Sequence, residues 1–297
     1  MKVPAGLKVG VCSHTGHVRN DNEDDYLVGA LPGTDLFVAA VADGMGGLAG
    51  GAEASRTALR AFASTLLDGG AVGPVAERVN AGFAAACLRV HEAATSVPAL
   101  RDMGTTLTSL CLGAGEAVFG HVGDTRLYHC RGGAIEQLTV DHAAREPHNL
   151  LLRCVGGGQA TTECDVGALP LQQRDRFVLV TDGIWSVVPE PEFRRLLQRA
   201  DPQQVAESLV ARALQGGGPD NATAVVIDVA ELVASGEPVE VALPQDERPE
   251  EQQLWPRPQS LRPPWWPWLL LLLACLLSLR AVVVWRGGDA GFGLWRD

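Results

Sequence analysis

Residues 35–47 read DLFVAAVADGMGG, an apolar strand-like stretch that ends in an aspartate and several glycines. A strand with this ending delivers the Asp43 carboxylate to the rim of a sheet, and Gly44 lets backbone and ligand approach closely. Similar strand ends occur at Asp124 in GHVGDTR, Asp182 in VLVTDGIW and Asp220 in GGGPDNATAVV. A single Asp-Gly pair usually marks an ordinary turn, but four such strand ends predict carboxylates gathered at one rim.

Carboxylates gathered at one rim repel one another unless cations neutralise their charge. Their oxygens are hard ligands with no accompanying thiolate or imidazole cluster, a donor set that suits Mg²⁺ or Mn²⁺. Upstream, Arg19 lies in GHVRNDNEDDY, just ahead of acidic residues, as in a solvated surface loop. A guanidinium is also a rigid fork that matches two phosphate oxygens, which a metal site for phosphoester hydrolysis needs. The residues alone leave both interpretations of Arg19 open.

Residues 1–235 contain many short segments rich in Val, Thr and Leu, each bounded by turn residues. The predicted strands include 7–13, 35–43, 105–113, 117–130, 176–182 and 222–229. The predicted helices are 52–67, 74–95 and two segments near 190–199 and 203–215. Strands and helices come in blocks rather than in strict alternation. This order favours an α+β fold of stacked antiparallel sheets flanked by helices over a doubly wound parallel sheet.

Charge and cysteine content limit the partners and the compartment. The net charge of -11 and the pI of about 5.1 argue against a nucleic-acid partner, which needs clustered lysine and arginine. The seven cysteines include no CxxC pair, so we expect reduced thiols rather than a disulfide framework or a zinc site. The N-terminus lacks the apolar stretch of a signal peptide, which also favours a cytoplasmic domain.

The composition changes near residue 235. Residues 236–264 are rich in proline and charge and are predicted to be a linker between the catalytic domain, 1–235, and an apolar C-terminal segment. Residues 265–285 read WWPWLLLLLACLLSLRAVVVW, long and apolar enough for one transmembrane helix with tryptophans at both ends. Residues 286–297 form a short tail. We therefore expect a single-pass membrane protein with a cytoplasmic catalytic domain.

Seven motifs in a fixed order make the pattern specific. They are GxxRxxNED at 16–24, ADGMGG at 42–47, GTTL at 104–107, GDTRLY at 123–128, LTVDH at 138–142, TDGIW at 181–185 and DNAT at 220–223. In this order, over residues 7–229, they resemble the protein phosphatase 2C family in its bacterial form. The resemblance implies a four-layer α-β-β-α sandwich of two antiparallel sheets. It also implies hydrolysis of phosphoserine and phosphothreonine in proteins, with a cognate Ser/Thr kinase as the opposing enzyme.

The resemblance further implies a binuclear centre of Mn²⁺ or Mg²⁺. By motif, Asp43 would bridge both ions and the Gly44 carbonyl would bind one of them. Asp182 and Asp220 would complete the direct ligands. Asp124, together with Asp182, matches a weaker third-metal site of bacterial relatives.

The reaction itself involves two further residues and one departure from the family. Glu23 would act through a metal-bound water, and Arg19 would hold the substrate phosphate. A hydroxide bridging both ions would attack phosphorus in line. Met45 stands where eukaryotic relatives often carry a histidine that is a candidate general acid, so the leaving group would take its proton from elsewhere. His14 and His17 are interpreted as loop residues.

The segment after Asp141-His142 is the larger departure. Asn149 comes directly after AAREPH, where family members usually carry a substantial flap, so we expect a more open cleft. Two other functions remain open. One is a pseudophosphatase that only binds, which a missing metal ligand would favour. The other is a metal-dependent phosphoesterase of small molecules, which activity on a phosphothreonine peptide would distinguish.

Overall fold

The computed structural model describes residues 2–34, 36–46, 50–68, 73–144, 150–231 and 238–240. Within these ranges the strands are β1 Lys2–Pro4, β2 Leu7–His14, β3 Asp24–Ala30, β4 Phe37–Met45, β5 Gly104–Thr105, β6 Leu107–Gly113, β7 Glu116–Val122, β8 Arg126–Arg131, β9 Ala134–Gln137, β10 Val155–Gly156, β11 Asp165–Pro170, β12 Arg176–Val180, β13 Ala222–Val229 and β14 Pro238–Glu240. The helices there are α1 Gly50–Asp68, α2 Val75–Ser96, α3 Asp182–Trp185, α4 Glu190–Leu196 and α5 Pro202–Gln215, with a 3-10 turn at Pro98–Leu100.

Two antiparallel sheets form the centre of the fold. The larger sheet has the strand order β10-β5-β4-β6-β7-β11, and β3 also pairs with β4. The smaller sheet has the order β2-β13-β12-β8-β9. Strands β1 and β14 form a separate antiparallel pair.

Strand β4 lies between two apolar layers, which explains its continuous apolar sequence. Successive side chains of a strand point to opposite faces of the sheet. Val38 and Ala40 pack in the core cluster formed with α1 and α2. Phe37 and Val41 pack in the cluster between the two sheets. Both faces of β4 are therefore buried, and no polar residue interrupts the run before Asp43.

The helices cover the outer faces of the two sheets. Helices α1 and α2 pack on the larger sheet, with Phe62 and Phe83 in an edge-to-face contact at 5.4 Å between ring centroids. A side chain at Gly120 of β7 would collide with the Phe83 ring, so this position needs glycine. Helices α4 and α5 pack on the smaller sheet, and a side chain at Gly10 of β2 would overlap the backbone of Pro202. The layers are therefore helix, sheet, sheet, helix.

This architecture confirms the predicted α+β fold of two antiparallel sheets flanked by helices. The predicted helices at 52–67, 74–95 and 203–215 correspond to α1, α2 and α5. The stretch 117–130 was predicted as a single strand segment, but it forms two strands in the structure, β7 and β8. The chain turns between β7 and β8 at Gly123, whose φ of 112° is in the region that favours glycine.

The chain divides into two compact units, Met1–Leu243 and Pro244–Asp297. Strand β14 belongs to the first unit, although it lies in the range 236–264 that was predicted to be linker. The predicted transmembrane segment, 265–285, and the tail, 286–297, lie outside the described residues. Among the helices that the structure does describe, none combines the length and apolar character needed to cross a bilayer.

Candidate active site

The four predicted aspartates lie at one rim of the sandwich, two at strand ends of the larger sheet and two at strand ends of the smaller sheet. Asp43 is near the end of β4, and Asp124 lies in the turn between β7 and β8. Asp182 begins α3 directly after β12, and Asp220 precedes β13. Strands β12 and β13 pair in opposite directions, so the end of one meets the start of the other. The same holds for β4, β6 and β7 in the larger sheet. The two sheets meet at this rim, because Thr181 beside Asp182 donates to Asp24, which lies across from Asp43.

The backbone of Asp43 is held on both sides by threonines that follow Gly104. Its N–H donates to the Thr106 hydroxyl at 2.9 Å, and its carbonyl accepts from the Thr105 hydroxyl and the Thr106 N–H, each at 2.9 Å. Burial raises the pKa of the Asp43 carboxyl well above its usual value, and the charges of Asp24 and Asp182 add to this. A buried cluster of carboxyl groups such as this one binds either protons or cations, because its negative charges repel one another.

Asp24 is a buried carboxyl group of this site that the sequence interpretation did not single out. It lies directly across from Asp43 in the β3–β4 pairing. Its Oδ2 accepts hydrogen bonds from the Thr181 hydroxyl at 2.8 Å and the Thr223 hydroxyl at 2.7 Å, while its Oδ1 is buried without a partner. Burial raises the pKa of Asp24 to about 7. The sequence feature that could have identified Asp24 is its position directly after Glu23 in the NED motif.

Arg19, the predicted phosphate-binding group, forms an ion pair with Asp220, a predicted metal ligand. The Arg19 Nη2 donates to the Asp220 Oδ2 at 2.7 Å, and this hydrogen bond raises the pKa of the guanidinium. The Arg19 side chain is 49% exposed and that of Asp220 is 30% exposed, so the pair is open to solvent. The predicted phosphate-binding group therefore lies beside a predicted metal ligand, and Arg19 is not an isolated surface residue.

Asn221 fixes the loop between β2 and β3, and sequence reasoning gave it no role. Its Nδ2 donates to the carbonyls of Thr15 and Asp21 at 2.8 and 3.0 Å. Its Oδ1 accepts from the Glu23 N–H at 2.8 Å. The side chain thus links the start of β13 to the loop that carries Arg19. Asn221 belongs to the DNAT motif, which could have signalled a positioning role.

Glu23 and Gly44 are adjacent in the structure. The Gly44 N–H donates to the Glu23 carbonyl at 3.1 Å, and the Ser55 hydroxyl donates to the same oxygen at 2.7 Å. A side chain at Gly44 would overlap the Gly51 carbonyl, so only glycine permits this close approach. Burial raises the pKa of the Glu23 carboxyl.

Asp124 is positioned through its backbone. The Trp185 indole N–H donates to the Asp124 carbonyl at 3.0 Å, and the Arg126 guanidinium lies 3.6 Å from the centroid of the Trp185 ring. Arg126 also donates from Nε and Nη2 to Asp141, at 3.0 and 2.7 Å. Burial, followed by the charge of Asp182, raises the pKa of Asp124 to about 7.

His142 connects the segment after β9 to the turn that carries Asp124. Its N–H donates to the Gly123 carbonyl at 2.7 Å, and its Nδ1 accepts from the Gly123 N–H at 3.2 Å. Its Nε2 lies 2.9 Å from Asp165 Oδ2. The predicted loss of the flap concerns this segment, and residues 145–149 of it lie outside the described residues. His14 accepts from the Gly16 N–H through Nδ1 at 2.9 Å, as a loop residue would.

The donors at this rim fit divalent cations that prefer oxygen. The carboxylates, with the Gly44 carbonyl beside them, are all-oxygen donors, and the buried Asp182 Oδ1 has no hydrogen-bond partner. Within the described ranges, no three His, Cys, Asp or Glu side chains already surround a single point closely enough to hold an ion. Asp220 is already engaged by Arg19. A cation at Asp220 has to share or replace that contact.

Three comparisons with known proteins agree with this architecture. The family model described as Protein phosphatase 2C matches residues 14–214. The serine/threonine protein phosphatase PstP of Mycobacterium tuberculosis is 31% identical over 245 residues, which cover 77% of this chain and 46% of PstP. This chain therefore spans about half the length of that relative.

Two solved structures also match the fold of this chain. The catalytic domain of PstP in complex with two manganese ions matches with a TM-score of 0.68 and 31% identity, covering 76% of this chain and 99% of that domain. PppA of Pseudomonas aeruginosa, described as a key regulatory component of T6SS, matches with a TM-score of 0.64 and 32% identity. That match covers 76% of this chain and 98% of PppA.

In chelator, Asp124 is expected to make the protein less stable as pH rises. Its folded pKa of about 7 lies above the value of 3.8 for an ordinary aspartate, so the folded state binds this proton more tightly. The resulting stabilisation is complete below pH 3.8 and is lost as pH rises through about 7. Asp124→Asn should therefore gain stability relative to the wild type with rising pH, by roughly a few kcal/mol at most. Urea unfolding at several pH values measures this difference, and parallel curves for the two proteins would contradict it.

Proposed function

Since the chain belongs to the protein phosphatase 2C family, we propose that it hydrolyses phosphoserine and phosphothreonine in proteins. The observation that carries the proposal is the meeting of Asp43, Asp182 and Asp220 at one rim with Arg19 alongside. Carboxylates that hold cations and a guanidinium that binds phosphate are the two parts that hydrolysis of a phosphate monoester needs.

The metal ligands we propose are those indicated by the family motifs. Asp43 would contact two ions, Mn²⁺ or Mg²⁺, with the Gly44 carbonyl, Asp182 and Asp220 as the other direct ligands. Asp124 with Asp182 would hold a third, weaker ion. When bound, such ions lower the pKa of a water so that it can attack phosphorus, and they stabilise charge on the phosphoryl oxygens.

The remaining steps belong to side chains of the chain. Arg19 would bind two phosphoryl oxygens with the part of its guanidinium that does not face Asp220, which orients the phosphate for in-line attack. Glu23 would accept a hydrogen bond from the attacking water. The new bond joins the water oxygen to phosphorus, and the bond to the serine or threonine oxygen breaks. Met45 has no proton to give, so the leaving oxygen would take its proton from water.

Two alternatives differ in measurable ways. A pseudophosphatase is disfavoured because the rim retains Asp43, Asp182 and Asp220. A phosphoesterase of small molecules would hydrolyse p-nitrophenyl phosphate but release no phosphate from a phosphothreonine peptide. The short sequence between His142 and Asn149, from which we expect a more open cleft, would suit a protein substrate, which needs more room than a metabolite.

The Pro-rich range and the apolar segment 265–285 support a membrane tether as part of the same proposal. A tether would confine a cytoplasmic catalytic domain to substrates near the membrane, such as the cytoplasmic part of a receptor-like kinase. Confinement raises the effective concentration of such substrates without any new contact at the active site.

Asp43→Asn is expected to abolish metal-dependent turnover. The change removes the proposed bridging charge and should cost several kcal/mol of transition-state stabilisation, roughly a thousandfold in rate or more. The assay is phosphate release from a phosphothreonine peptide with added Mn²⁺, with and without EDTA. Glu77→Gln, an exposed change on α2, serves as the control. Wild-type turnover in EDTA, or in Asp43→Asn, would rule out the mechanism.

Arg19→Ala is expected to raise KM for the phosphopeptide by about tenfold or more, because a charge-assisted bidentate contact is lost. Arg19→Lys should recover only part of this loss, since an ammonium cannot make the paired contact. Steady-state kinetics give KM and kcat separately, and Arg56→Ala on α1 provides a matched exposed arginine as control. An unchanged kcat/KM in Arg19→Ala would mean that Arg19 only pairs with Asp220.

Truncation after Leu243 is expected to move the protein from the membrane to the soluble fraction with unchanged turnover. This cut keeps the first compact unit whole, including β14, which a cut at residue 235 would remove. Fractionation and the phosphopeptide assay together test the tether. A truncated protein that stays with the membrane or loses activity would contradict the tether proposal.

A further inference from the structure

A cavity of about 430 Å³ lies at the end of the smaller sheet that is remote from the carboxylates. Strand β12 starts at the cavity with Arg176 and ends just before Asp182. Strand β13 starts just after Asp220 and ends at the cavity with Val229. The eight residues of β13 span about 23 Å at roughly 3.3 Å per residue. The cavity is therefore separate from the candidate active site.

Positive side chains dominate the polar lining of this cavity. They are Lys8, Arg131, Arg174, Arg176 and Arg199. Two of them are already paired with carboxylates. Arg131 donates from Nε and Nη2 to the buried Asp175, at 2.6 and 2.7 Å. Arg176 makes the same type of paired contact with Asp228, at 2.6 and 2.7 Å.

Three positive side chains of the lining remain without a carboxylate partner. Lys8, Arg174 and Arg199 are exposed and make no ion pair in the part of the chain that the structure describes. The chain as a whole carries a net charge of -11, so this local excess of positive charge runs against its composition. Positive side chains facing one concave space attract an anion that a flat surface would bind weakly.

The turn that presents Arg174 is built around the buried Asp175. The Asp175 carboxylate accepts from the Gln172 N–H at 2.8 Å, which fixes the turn from inside. Arg174 has a φ of 71°, a left-handed conformation that side chains other than glycine rarely adopt. Its N–H donates to the Val229 carbonyl at 2.7 Å, which holds this conformation in place. The fold thus keeps an unpaired arginine on a constrained backbone beside the cavity.

We propose that this cavity binds a small anion that carries more than one phosphate group. The volume is that of a small-molecule site, and arginine and lysine are the side chains that bind phosphate. Three unpaired positive charges match a polyphosphate better than a single phosphate. The anion can come from solution, or it can be the headgroup of a phospholipid.

The test is calorimetric titration of the full chain with inorganic pyrophosphate in chelator. Without divalent ions the rim carboxylates repel this probe, so the cavity dominates the signal. The variant Lys8→Gln/Arg174→Gln/Arg199→Gln should bind pyrophosphate at least about tenfold more weakly, which corresponds to about 1.4 kcal/mol. The exposed position of all three side chains keeps the core intact, and urea unfolding checks that the variant folds.

The matched control removes three exposed arginines elsewhere, in Arg60→Gln/Arg89→Gln/Arg101→Gln, and should keep wild-type affinity. Asp43→Asn should also bind as the wild type does. The proposal fails if pyrophosphate does not bind, if the control weakens binding equally, or if only changes at the rim affect it.

Competition identifies the source of the anion. Vesicles of phosphatidylcholine with a phosphatidylinositol bisphosphate, whose headgroup carries more than one phosphate, should displace pyrophosphate if the site binds lipid headgroups, whereas vesicles of phosphatidylcholine alone should not. If neither vesicle competes while pyrophosphate still binds, the ligand is a soluble anion.

Discussion

Burial raises the pKa of the carboxyl groups of Asp24, Asp43, Asp124 and Asp182 at the rim, and repulsion from neighbouring carboxylates, Asp220 included, adds to it. No arrangement of apolar side chains could satisfy such a cluster. It has to be stabilised by protons, by hydrogen-bond donors or by cations. The rest of the rim is organised around this requirement, and the same requirement makes the rim suitable for divalent metal ions.

The fold supplies part of the stabilisation from residues far apart in the chain. The hydroxyls of Thr223 on the smaller sheet and of Thr181 directly after β12 donate to Asp24 on the larger sheet, so one carboxylate connects both sheets at the rim. Arg19 neutralises Asp220, and Asn221 holds the loop that carries Arg19. These contacts set the positions of the charged groups before any ligand binds. Such preorganisation is what electrostatic catalysis of phosphoryl transfer depends on.

The two ends of the smaller sheet have opposite electrostatic character. One end carries the acidic rim, and the other carries the cavity lined by lysine and arginine. The apolar strands β12 and β13 run between them and are buried along most of their length. The proposed phosphatase site and the proposed anion site therefore share no side chain.

The sequence by itself determined the fold class, and it predicted that Asp43, Asp124, Asp182 and Asp220 gather at one rim. Apolar strands ending at Asp43 and Asp182, together with the helical segments, were sufficient because strand ends and periodicity are local properties. The tertiary structure alone decided which distant groups meet. Asp24 and Thr223 are 199 residues apart, Arg19 and Asp220 are 201 residues apart, and the cavity combines Lys8 with Arg174 and Arg199. Such pairs depend on the order and stacking of the two sheets, and no local pattern in the chain encodes that stacking.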